Sequence, residues 1–145
     1  MASLIGYPRG KVLAVFDDRP AAAAAAQALA GAGVPAADIE RFEGAEAADR
    51  FDASGARHGA VTRVLRAMQF SLMDQLPAMA WYEAALRDGK VVVAVRTADR
   101  ATTLRIVEAL RNAGGHFINR FGRLATEELA RWRGPEPRVP SLMKH

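Results

Sequence analysis

Four short segments of the chain carry the patterns of β-strands. Residues 11–16 and 90–96 are apolar at almost every position, which is typical of strands that are buried on both faces. Residues 38–43 and 116–121 mix apolar and charged residues. Edge strands tolerate such charges, which also discourage edge-to-edge pairing. The pattern therefore predicts a sheet in which the first and third strands are central and the second and fourth are edges.

The same strand–helix–strand unit occurs twice in the sequence. The Lys-Val pair at 11–12 returns at 90–91, and residues 39–42 return in part at 118–121, in both cases 79 positions later. A duplicated unit with right-handed crossovers predicts an α+β, ferredoxin-like βαβ–βαβ fold. Its antiparallel sheet has the strand order 4-1-3-2.

Each unit contains one predicted helix. The first covers residues 21–30, which are mostly alanine, and the second covers residues 100–113. Asp99 is a suitable N-cap for the second helix. Asp17 and Asp18 precede the first helix, and their position favours capping over a pair of carboxylates that share a proton.

A helical insert, residues 46–88, separates the two units. Its polar first part, residues 46–60, predicts a loop or a short helix, and apolar periodicity then predicts helices over 60–76 and 78–87. A ferredoxin-like sheet carries helices on one face, so its second apolar face needs a cover. Either the inserted helices or a second copy of the chain can provide it.

We expect a homodimer with the inserted helices at or beside the interface, because twofold association is the commonest assembly of soluble proteins. The expected contacts are the apolar residues Met68, Leu72, Met73, Met79 and Trp81. Methionine and aromatic residues at this spacing also suit an ordinary core or a small-molecule pocket, so these alternatives stay open.

The composition limits the classes of protein that the chain can represent. With 145 residues and no cysteine, it has the length of one domain and excludes disulfides and thiolate chemistry. We place the domain at residues 1–130, followed by an extended basic, proline-containing tail at 131–145 unless Trp132 docks it. We expect no secretory signal and no membrane span, because no apolar run is long enough, and a cytoplasmic location.

The net charge of +4 and the pI near 10.1 raise the possibility of nucleic-acid binding. The basic residues are scattered, however, and RNA-binding sheets of this topology stack bases on aromatic residues of the central strands. The third strand has no aromatic residue and the first has only Phe16. The sequence therefore predicts no nucleic-acid partner, and it contains no glycine-rich phosphate loop.

Candidate ligand-binding residues are few. His58, Arg63 and Arg66 lie where the first inserted helix begins, so they could bind a small anion, with Tyr82 nearby. The alternative is an ordinary solvated helix face. The three histidines lack the spacing of metal ligands, although His116 is best placed to lie in the structured core. We predict no metal, no cofactor and no catalytic residue.

Two parts of the chain carry a resemblance to a known family. Tyr-Glu-Ala-Ala-Leu-Arg-Asp-Gly-Lys leads into valines over 82–95, and Val-Phe-Asp at 15–17 leads into an alanine-rich helix and Ala-Gly-Val-Pro at 32–35. Together they resemble the general stress protein 17M-like domains over residues 11–44 and 80–122. These bacterial domains are built on a ferredoxin-like βαβ pair, and their insert is usually glycine-rich and apolar, whereas the insert here is basic.

The resemblance implies a bacterial, stress-associated accessory or assembly module with no defined reaction. A second hypothesis is a small-molecule sensor or an enzyme that uses a cleft between the helical insert and the sheet. An anionic ligand would then contact the basic residues of the insert.

Overall fold

The computed structural model describes residues 10–51, 76–122 and 126–135. These residues form a five-stranded antiparallel sheet between two layers of helices, and the predicted α+β class is confirmed. The strands are β1 Lys11–Phe16, β2 Ile39–Glu43, β3 Val91–Arg96, β4 His116–Phe121 and β5 Thr126–Ala130. The helices are α1 Arg19–Gly31, α2 Gly44–Phe51, α3 Leu76–Arg87 and α4 Arg100–Asn112, with a 3-10 turn at Ala36–Asp38.

The sheet has the order β2-β3-β1-β4-β5. Strand β1 pairs with β3 along its whole length, from Lys11 opposite Arg96 to Phe16 opposite Val91. The predicted four strands are present, but the prediction that the fourth is an edge was wrong. Strand β5 pairs along the open side of β4, so β5 is the edge strand there.

Aspartate residues begin α1 and α4. The Asp18 carboxylate accepts a hydrogen bond of 2.9 Å from the Ala21 amide, and Asp99 accepts one of 2.8 Å from the Thr102 amide. These bonds satisfy amides that have no partner within the first helical turn. The predicted caps are confirmed, whereas Asp17 lies outside the cap and points toward β4.

Helices α1 and α4 cover one face of the sheet. Alternate residues of β1 and β3 point into this layer, where they pack with apolar residues of both helices. The central members are Val12, Ala14, Phe16, Val93, Leu29, Ile106 and Leu110, and all are buried. At about 1.5–3 kcal/mol for each large apolar side chain, this layer contributes substantially to the hydrophobic stabilisation.

Helices α2 and α3, both from the insert, cover the opposite face. Ala47 and Ala48 of α2 and Trp81, Tyr82 and Leu86 of α3 lie in one buried cluster with the second set of strand residues. The chain therefore covers both sheet faces itself. The homodimer stays a prediction, because this sheet face does not require a second copy of the chain as its cover. None of the helices in the described ranges has the length and apolar character that a membrane crossing needs.

Candidate functional site

Some of the predicted site residues lie outside the described residues, and the others lie on α3. Six of them lie outside the described residues: His58, Arg63, Arg66, Met68, Leu72 and Met73. Met79 lies on α3. Trp81 and Tyr82 also lie on α3, where their side chains are 4% and 0% exposed. The structure thus places the two described aromatic candidates in the core of their own chain.

Trp81 belongs to an aromatic cluster that docks the segment after β5. Its ring stacks on Phe117 with centroids 5.3 Å apart, and the ring of Trp132 meets it edge-on at 5.4 Å. The Trp132 indole N–H donates to the Pro135 carbonyl at 2.9 Å. Residues 131–135 of the predicted tail are therefore held by Trp132, and the remainder of that tail lies outside the described residues.

Tyr82 supports a β-bulge where β4 meets β1. Leu13 is opposite Asn119 and Val15 is opposite His116, so β4 has one extra residue between these pairs. Phe117, in the bulge, has a left-handed φ of 46°. The Tyr82 hydroxyl lies 2.8 Å from the carbonyl oxygen of Phe117 and 3.0 Å from that of Leu13.

The Tyr82 hydroxyl also accepts a hydrogen bond of 2.8 Å from the side-chain amide of Asn119. Burial raises the pKa of Tyr82, so the phenol remains protonated and continues to donate. The Tyr82 hydroxyl therefore places its one proton between two backbone carbonyls at the bulge. This is a structural task inside the core, where Tyr82 is 0% exposed.

A hydrogen-bonded pair of the exposed Asp17 and the buried His116 joins three parts of the chain. His116 is 1% exposed, and its Nε2 lies 2.8 Å from Asp17 Oδ1. Its Nδ1 accepts a hydrogen bond of 3.1 Å from the Arg133 amide. Lys90 Nζ lies 3.2 Å from the same Asp17 oxygen. Because an amide can only donate, the ring carries its proton on Nε2 and is neutral.

The neutral His116 is consistent with its surroundings. Burial lowers the pKa of His116, although the hydrogen bond to Asp17 opposes this change. Burial alone would raise the pKa of Asp17, but the hydrogen bonds from His116 and Lys90 lower it below its usual value. Both ring nitrogens are used inside the protein, so the pair links β1, β4 and the 131–135 segment and has no nitrogen available as a general base.

We expect the stability of the protein to fall as the pH drops below about 7. The pKa of His116 in the folded state lies below the unfolded value of 6.5, so in this window the unfolded chain binds more protons. Urea unfolding at pH 7.5 and pH 5.0 should show the loss in the wild type and a smaller loss in His116→Asn. Equal losses in the two proteins would contradict the assignment to His116.

A basic cleft lies beside this pair. It has a volume of about 760 Å³ and runs between α4 and the chain from Ala130 to Arg133. Among the described residues, Arg111, Arg131 and Arg133 line it together with one carboxylate, that of Glu108. Positive charges therefore outnumber negative ones around the cleft, and the low-dielectric walls strengthen their field.

The arginines of the cleft differ in how they are held. Arg133 Nη2 donates to the Gly114 carbonyl at 2.9 Å, which fixes the segment against the end of α4. Within residues 10–51, 76–122 and 126–135, neither Arg111 nor Arg131 forms an ion pair. By contrast Arg100, at the other end of α4, lies 2.8 Å from Glu127. Among the residues that the structure describes, the guanidinium groups of Arg111 and Arg131 therefore have no carboxylate partner.

Sequence reasoning did not predict this cleft. The sequence places Arg131 and Arg133 in the predicted tail and Arg111 in the predicted helix over 100–113. The available signal was the face of α4 that contains Leu104, Glu108 and Arg111, three or four residues apart. The second wall depends on β5, which lacks the alternation of a strand, and on Trp132, which the sequence names as a residue able to dock the tail but without indicating where.

Metal binding has no support in the described ranges, since they contain no group of three or more histidine, aspartate or glutamate residues placed to hold a metal ion. Comparison of the chain with family models, with curated proteins and with solved structures found no match.

Proposed function

We propose that the protein is a non-enzymatic binding module that holds a small anion in the cleft between α4 and residues 130–133. The observation that carries the proposal is the convergence of Arg111, Arg131 and Arg133 on one cleft, two of them without a carboxylate partner among the described residues. The planar fork of a guanidinium suits the two oxygens of a carboxylate or phosphate.

The proposed ligand is an anion, as in the sensor hypothesis, but the proposed site is a different cleft. The sequence suggested a cleft between the insert and the sheet, whereas this cleft lies beside α4 on the opposite side of the sheet. A non-enzymatic role fits the Asp17–His116 pair, whose ring nitrogens already have partners. A bacterial, stress-associated accessory role, a cytoplasmic location and a homodimer are further parts of the proposal that rest on the sequence.

We also propose that the fold is ferredoxin-like. Strands β4, β1, β3 and β2 are neighbours in that order, and α1 and α4 share one face of the sheet. On this interpretation β5 and the helices α2 and α3 are additions to a duplicated βαβ core. The additions create one wall of the cleft and cover the second face of the sheet.

Methyl phosphate is a suitable first probe, because it presents the anionic head without an apolar body. We expect wild-type protein to bind it at an ionic strength of about 0.1 M, and Arg111→Gln and Arg131→Gln each to weaken binding by about ten- to a hundredfold, since hydrogen bonds to charged groups contribute about 1.5–3 kcal/mol. The measurement is a titration followed by amide NMR shifts, with shifts expected around residues 111–115 and 130–133.

Arg100→Gln is the matched control. It removes the same charge from the same helix, at a position that pairs with Glu127 away from the cleft. We expect it to leave the affinity within about twofold, because the effect of an exposed charge is screened beyond roughly 10 Å. No binding by the wild type, or equal losses in all three variants, would overturn the anion site.

A further inference from the structure

The cleft has an apolar end as well as a basic end. Leu104 and Val107 of α4 line it together with Ala130. Leu104 is 49% exposed, and it is the large hydrophobic residue that the described part of the chain leaves most open to solvent. Val107, one helical turn further along, is 6% exposed, so the apolar surface continues from the lip toward the core.

The basic and apolar ends are separated along a single helix. Leu104 and Arg111 are seven residues apart, which places them on the same face of α4 and about 10 Å apart along its axis. Arg131 and Arg133 extend the basic end from the opposite wall. A small inorganic anion would occupy only the basic end and would leave Leu104 exposed.

We infer that the ligand of this cleft is amphipathic, with an anionic phosphate or carboxylate head at Arg111 and Arg131 and an apolar alkyl or acyl chain along Leu104 and Val107. This inference rests on the proposed anion-binding function and names the class of ligand. The cleft has two walls and a limited length, so the ligand is a single soluble molecule rather than a membrane surface. The apolar chain contributes affinity through burial and the head fixes its direction.

The affinity for alkyl phosphates is expected to increase with chain length. Each methylene that becomes buried raises an affinity roughly fourfold. Octyl phosphate, used below its micelle-forming concentration, should therefore bind wild-type protein at least about tenfold more tightly than methyl phosphate. The measured quantity is the ratio of the two dissociation constants, obtained by NMR titration or calorimetry.

Leu104→Ser tests the apolar end directly. The residue is half-exposed, so the variant is expected to fold, which circular dichroism checks. The ratio of the two dissociation constants should fall toward one in this variant. Ala101→Ser, an exposed position on the same helix that does not line the cleft, should keep the wild-type ratio.

The outcomes separate this inference from the proposed function. If methyl phosphate binds and octyl phosphate binds no more tightly, the ligand class is wrong and the anion site stands. If neither phosphate binds, the anion site itself falls. A ratio that survives Leu104→Ser would place the apolar contact elsewhere and overturn the inference. Sedimentation with phosphatidate vesicles, without tighter binding of soluble octyl phosphate, would indicate a membrane surface and overturn it too.

Discussion

Replacing Tyr82 with phenylalanine is expected to lower the free energy of unfolding by about 2–4 kcal/mol. The ring would still fill its place in the core, but the hydroxyl that meets the carbonyls of Leu13 and Phe117 would be lost. The side-chain amide of Asn119 would lose its acceptor as well. A buried polar group without a partner costs about 1–3 kcal/mol, and several such groups appear together here.

Urea unfolding of Tyr82→Phe against the wild type measures this loss. Leu104→Ala is a useful control, because the residue is half-exposed and its truncation should change stability by about 0.5 kcal/mol or less. A double-mutant cycle with Asn119→Ala should give a coupling energy of about 1 kcal/mol, since the two side chains share a hydrogen bond. A loss below about 1 kcal/mol in Tyr82→Phe would show that the bulge does not depend on the hydroxyl.

The bulge also explains why sequence reasoning misjudged β4. The polar residues of 116–121 predict an edge strand. Asn119 is instead 1% exposed, and its side-chain amide donates a hydrogen bond to the Tyr82 hydroxyl. Its polar side chain therefore has a buried partner and does not need contact with solvent. An alternation pattern records which positions are polar, but it does not distinguish a solvated group from a buried group that has a partner.

Strand β5 was missed for a related reason. Thr126–Ala130 contains two successive glutamates and lacks the alternation of a half-buried strand. It is a strand because β4 offers it a free edge: Asn119 pairs with Glu128, and Arg120 with Glu127. Tertiary context of this kind overrides local propensity. The β1, α1, β3 and α4 assignments succeeded because their apolar runs and aspartate caps are local signals.

The sequence does not predict the candidate cleft, because only one of its two walls has a local sequence signal. The face of α4 is readable from helical periodicity. The opposing wall requires β5 to pair with β4 and Trp132 to pack against His116, at 4.9 Å between ring centroids. Only then do Arg131 and Arg133 approach Arg111. Packing between segments that are distant in the sequence cannot be predicted from the spacing of residues.

Replacing Gly115 with alanine is expected to lower the free energy of unfolding by about 3 kcal/mol, the upper end of the usual cost of overpacking. Gly115 lies between α4 and β4, where its amide donates to the Leu110 carbonyl at 2.8 Å. A Cβ here would lie 2.7 Å from that carbonyl oxygen and 2.9 Å from Cζ of Phe16. A backbone carbonyl cannot rotate away, and Phe16 is itself buried in the core.

Gly31→Ala supplies the contrast, because Gly31 ends α1 and a Cβ there would meet no atom within 4 Å. Since alanine favours a helix over glycine by up to about 1 kcal/mol, this change should be neutral or stabilising. Thermal and urea unfolding of both variants gives the comparison. If Gly115→Ala matches Gly31→Ala in stability, the close approach of α4, β1 and β4 at this turn does not constrain the fold.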